Sequence, residues 1–119
     1  MALDSSPRAL LGPAHESRVG SIGWGQARGA RRAEQAAWLA LNHPLLRQTL
    51  REPEQLSGLS ITLKSANNTV RLAEVHTVRR MIVARCGEGV DMLFDTAVGV
   101  EEGLQISLWA MRRWVGGKT

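Results

Sequence analysis

Apolar residues recur along this chain with two distinct periods. Ala33, Ala36, Ala37, Ala40 and Leu41 fall three and four apart, the spacing that gathers side chains on one face of a helix. Arg31, Arg32, Glu34 and Gln35 fall off that face and are expected to remain in water. Pro44 ends the helix, because His43 before a proline is pushed out of helical geometry. A second helix is predicted from about Leu72 to Cys86. Leu72, Val75, Val78, Ile82 and Cys86 form its apolar face, with Glu74, His76, Arg79 and Arg80 largely off it, and Gly87 supplies a left-handed stop.

Elsewhere the period is two. Leu59, Ile61 and Leu63 alternate with Ser60, Thr62 and Lys64. Val90, Met92 and Phe94 alternate with Asp91 and Asp95, and Leu104, Ile106, Leu108 and Ala110 with Gln105, Ser107, Trp109 and Met111. With Arg18 to Trp24 as a first strand, the order is β-α-β-α-β-β. It predicts an α/β (α+β) two-layer sandwich, a four-stranded mixed sheet with two helices on one face. The opposite face is less apolar, so water or a missing partner is expected to cover it.

Around this core, residues 1–17 carry Ser5, Ser6, Pro7, Gly12 and Pro13 and read as a loose leader. Residues 18–112 hold the predicted domain, and 113–119 a short tail ending in Gly116, Gly117, Lys118 and Thr119. A chain of 119 residues is long enough to bury one core without disulfide or metal. Its lone cysteine, Cys86, sits in an apolar helical pattern and reads as a small buried hydrophobe. No apolar run approaches the roughly 18 residues of a membrane span, and Asp4 stands where a secretory leader would be positive, so a cytoplasmic location is expected. The formal charge of +4 comes mainly from arginine, but interspersed glutamates make a solvated surface the simpler reading than a nucleic-acid tail.

The run GSIGWGQARGARRAEQAAWLALNHPLL resembles a segment of the FtsZ cell-division GTPases: a glycine-spaced strand end, an Arg-Ala helix start, an alanine-rich helix, then Pro-Leu-Leu. Gly23, Gly25, Gly29, Arg32, Ala33, Ala36, Ala37, Pro44, Leu45 and Leu46 fall on that pattern. Further on, Leu56, Ser57, Leu72, Glu74, Val75 and Val78 match the family's next strand and the Leu-x-Glu-Val opening of its next helix. EEGLQISLWA has the shape of its acidic turn and last strand. The resemblance covers residues 18–112 and implies the C-terminal domain of that family, a four-stranded sheet with two helices.

The same resemblance implies which family properties to expect. GTP is the family's ligand, held in a separate N-terminal domain by a Gly-Gly-Gly-Thr-Gly type loop, and no such stretch occurs in this sequence. The family's Asn-x-Asp-x-x-Asp loop, which reaches the GTP of the next subunit, corresponds to LDSSPRALL, where Asp4 is the only acid. One carboxylate leaves little to orient a water. The expectation is an assembly module without bound cofactor and without GTPase activity of its own. Its partner would be an FtsZ-type subunit at the division site, docked through Asp4, Ser6, Arg8 and the Asn67-Asn68 turn. Such a chain would cap a filament.

Other local chemistry has simpler readings. Gly23 to Gly29 before a helix could cradle a phosphate with Arg28 and Arg32, but the spacing fits no phosphate-loop pattern and a tight strand-to-helix turn accounts for it. His15, His43 and His76 lack metal-ligand spacing with Cys86 and read as surface or capping residues. Asp91 and Asp95 read as outward strand positions. The rival function is polyanion binding through Arg28, Arg31, Arg32 and Arg47.

Overall fold

The computed structural model describes residues 20–53, 56–99 and 102–112. Strand β1 (Gly20–Ala27) leads into helix α1 (Arg32–Leu41) and a short helix α2 (Pro44–Leu50). Strand β2 (Leu56–Ser65) follows, then a single 3-10 turn (Ala66–Asn68), helix α3 (Leu72–Cys86), β3 (Met92–Val98) and β4 (Leu104–Arg112). The strands form one mixed sheet in the order β1-β4-β2-β3. β4 runs antiparallel to both of its neighbours, and β3 pairs parallel to β2. The parallel pair is possible because α3 carries the chain back to the starting end of the sheet.

The expected two-layer sandwich is present, with a third helix added. Pro44 does end α1, but it also opens α2 from the first helical position, where its missing N–H costs nothing. His43 has extended backbone and caps α2, its Nδ1 accepting from Leu45 N at 3.1 Å. Leu46 and Leu50 are buried, and the Thr49 and Ser21 hydroxyls hydrogen-bond each other, so α2 is fastened to β1.

One core lies between the layers. Ala33, Ala36, Ala37, Ala40 and Leu41 of α1 meet Leu59, Ile61 and Leu63 of β2 and Leu104, Ile106, Leu108 and Ala110 of β4. Val78, Ile82 and Cys86 of α3 join them. The strand alternation is therefore realised as expected. Helix α1 comes unusually close to β1: a Cβ on Gly23 would lie 2.6 Å from the Ala40 carbonyl oxygen, and one on Gly25 would lie 2.5 Å from Leu39 Cβ. Glycine on the strand and alanine on the helix let two backbones touch, and any side chain at either glycine would wedge the layers apart.

Two helix faces differ from expectation. Leu72, placed on the dry face of α3, is 71% exposed as the first residue of the helix. Glu74, expected off that face, is buried, and Arg32, expected in water, turns inward to meet it. The sheet face opposite the helices carries Ile22, Trp109 and Leu93 on one row across the strands, all exposed.

Candidate assembly surface

Three connections meet at one end of the sheet: Arg28–Arg31 between β1 and α1, the turn after β2, and the approach to β4. Gly29 leaves β1 with φ of 99° and Gly103 enters β4 with φ of 94°, backbone angles that favour glycine. At Gly103 a side chain would also run into the Ala27 carbonyl. The turn after β2 places Asn67 (φ 58°) and Asn68 (φ 54°) side by side in the left-handed region, which asparagine tolerates better than most residues. Ser65 Oγ holds the far side of that turn by accepting from Thr69 N at 2.7 Å. Between these loops lies an open depression of about 570 Å³, lined by Arg28, Gly29, Arg32, Thr69, Arg71 and Glu102 among others.

Arg32 and Glu74 form the structured centre of this end. Arg32 Nε donates to Glu74 Oε2 at 2.6 Å and Nη2 to Oε1 at 3.0 Å, a two-bond fork; Nη2 also donates to the Thr69 carbonyl at 3.1 Å. Glu74 accepts in addition from Arg71 N at 2.9 Å, at the third position of α3, where a carboxylate satisfies the open helix end. The Arg32 hydrogen bonds hold the Glu74 carboxyl below its ordinary value despite burial, and the same bonds raise Arg32. Nε and Nη2 of Arg32 and both oxygens of Glu74 are engaged within the chain, so the pair locks the start of α1 to the start of α3. Around it the guanidiniums of Arg28, Arg31 and Arg71 remain in water. Arg31 pairs with Glu34 at 2.9 Å, whereas Arg28 and Arg71 lie 3.9 and 3.7 Å from Glu102 and Glu74.

Of the residues expected at an interface, Asn67 and Asn68 lie exposed at this end, while Asp4, Ser6 and Arg8 lie outside the described residues. So do the leader, residues 1–17, and the tail, 113–119. Among the positions carrying the family resemblance, Gly23 and Gly25 lie beneath α1, Ala33 and Leu46 are in the core, and Gly29 makes the turn into α1. Arg32 holds Glu74. Pro44, Leu45 and Leu72 face water. Arg28 and Arg32 line the depression, Arg31 lies between them in sequence and lines the neighbouring surface, and Arg47 lies on α2. Arg71 is the cation that sequence reasoning missed; its position as the residue before α3 was the available signal. Cys86 is buried, which pushes its thiol up. Among the described residues no three His, Cys, Asp or Glu side chains converge as metal ligands, and no helix is long and apolar enough to cross a membrane.

No family model matches the chain, and no curated protein matches it. Solved structures do. An empty FtsZ dimer from M. jannaschii superposes with a TM-score of 0.64 at 21% identity, over 77% of this chain and 26% of that one. TubZ from Bacillus thuringiensis serovar israelensis, in GDP-form protofilaments, gives 0.61 at 9% identity, over 82% and 27%. CetZ from Methanosaeta thermophila strain DSM 6194 gives 0.52 at 12% identity, over 79% and 25%. The chain thus spans about a quarter of the length of the proteins it superposes on. The fold shown by these superpositions is that of a tubulin/FtsZ-like C-terminal domain.

Proposed function

We propose that the chain is an assembly module of a tubulin-like filament system, docking on an FtsZ-type subunit and capping its filaments. The observation that carries this reading is the fold: 77 to 82% of the chain superposes on subunits whose structures are a dimer and protofilaments. A joint between such subunits is heterologous, with different surfaces meeting, so a chain bearing one of the two surfaces binds a filament end without offering the next site. The contact residues in this proposal are Asn67 and Asn68 with Asp4, Ser6 and Arg8. GTP belongs to the partner subunit, and the chain by itself neither binds nor hydrolyses it.

The test is GTP-driven pelleting of an FtsZ-type protein with the purified chain titrated in at constant salt. Loss of polymer at substoichiometric chain, reversed by changing Asn67 and Asn68 or Asp4 and Arg8, supports capping. Unchanged pelleting across the titration removes the proposal, as does GTP hydrolysis by the pure chain.

A second reading is favoured by the exposed Arg28, Arg31 and Arg71 at one end of the sheet. These side chains suit an acidic or phosphate-bearing partner. Affinity for a polyanion that collapses as salt is raised, together with unchanged filament pelleting, would favour this reading over the first.

A further inference from the structure

We propose that the flank of β1 formed by Trp24, Trp38, Leu39 and Leu45 is a self-association surface on which a second copy of this chain docks. β1 is an edge strand of the sheet. Trp24 alternates away from the buried Gly23 and Gly25, yet its ring reaches the ring of His43, 4.0 Å away between centroids. The indole therefore lies along the edge rather than standing off the open face. Leu39 leans over Gly25 from α1, and beside it Gln26, Ala27, Trp38, Arg31 and Glu34 line an open depression of about 490 Å³. On β1 and the two helices packed against it, the four apolar side chains Trp24, Trp38, Leu39 and Leu45 are 44 to 59% exposed.

Area and charge both point to a second copy as the occupant. At those exposures the flank presents on the order of 500 Å² of largely apolar surface, at the upper end of what a monomer normally leaves bare. Set face to face with itself and counted with its rim, it reaches the roughly 1,000 Å² or more that a specific interface needs. Two tryptophans in it supply the anchors on which such interfaces depend. The charged residues lining the depression are Arg31 and Glu34, which neutralise each other at 2.9 Å. Two chains of formal charge +4 can therefore meet here without bringing like charges together, whereas a strongly charged partner finds nothing to pair with.

Sedimentation velocity of the full chain, from about 1 to 100 µM, tests this. The expected result is a species of twice the 13.0 kDa chain mass that gains weight with concentration. Changing Trp38→Glu and Leu45→Glu together, both already well exposed, should weaken association at least about tenfold with unchanged far-UV circular dichroism. Leu72→Glu, equally exposed but on α3, should leave it intact. A chain that stays monomeric throughout overturns the proposal. So does a dimer that survives the double change, or one lost equally in Leu72→Glu. No filament protein enters this measurement, so its outcome is independent of the capping test.

Discussion

Arg32 and Glu74 stand 42 residues apart in sequence and meet through two hydrogen bonds of 2.6 and 3.0 Å, joining the first turn of α1 to the first turn of α3. Both side chains are largely withdrawn from water, at 14 and 9% exposure. Removing one partner strands the other, so Arg32→Met or Glu74→Leu alone should cost about 2–4 kcal/mol, and the double change less than the sum of the two. Urea midpoints of the three variants check this.

The pair also gives stability a dependence on pH. The Glu74 carboxyl is held below its ordinary value of 4.5, so its contribution is complete above that value and is lost as pH falls through the lower folded value. Acidification from about pH 5 to 3 should destabilise the native chain more steeply than Glu74→Gln, measured as the slope of the urea midpoint against pH.

Gly25 is where α1 rests on β1, and a methyl there would meet Leu39 Cβ at 2.5 Å. Gly25→Ala is expected to destabilise by about 1–3 kcal/mol through overpacking. Gly89→Ala meets nothing within 4 Å and should be neutral or stabilising by a few tenths to about 1 kcal/mol. Thermal melts of the two variants side by side separate a contact effect from a general glycine effect.

The Asn67-Asn68 turn allows fold and docking to be tested separately. Both residues have positive φ, so glycine at either position keeps the turn while removing the side chain. Asn67→Gly with Asn68→Gly should hold the melting temperature within a few degrees and abolish any effect on filament pelleting. Asn67→Val should instead destabilise by about 1–2 kcal/mol, because a branched residue resists that geometry.

Cys86 is buried and its thiol raised by desolvation, so little thiolate forms near neutral pH. Alkylation by iodoacetamide should be slow in the native chain and rise to the rate of an ordinary thiol in denaturant. Fast native labelling would place Cys86 outside the core.

The parts of this fold legible in the sequence are those with a repeating pattern. Leu104, Ile106, Leu108 and Ala110 alternate without interruption and form the buried side of a central strand; the alanines of α1 likewise define its inner face. Helix α2 was hidden, since seven residues are too few for a period to emerge and Pro44 reads as a stop as readily as a start. The Arg32–Glu74 pair was legible only as two matches to a family pattern. A charged side chain on a helix defaults to water in any periodicity argument, and nothing local states that two loops will bring such residues together. Glu74 accepts from Arg71 N at the start of α3, a helix-end role that hydrophobic spacing does not register, and Leu72 beside it is exposed. In the candidate surface the consecutive asparagines announced a turn, while Asp4, Ser6 and Arg8 lie outside the described residues.

The position of β4 has a consequence for how the chain comes into being. Among the described residues it is the last strand in sequence, yet it sits inside the sheet between β1 and β2. As the polypeptide leaves the ribosome, β1 and β2 emerge early with their partner-facing edges bare, and neither can be satisfied by the other in the native arrangement. The two halves wait for a segment that is synthesised after everything they must be joined to. The domain therefore closes in one late event, and until then the glycine-lined edge of β1 and the apolar edge of β2 are open to whatever strand is nearest.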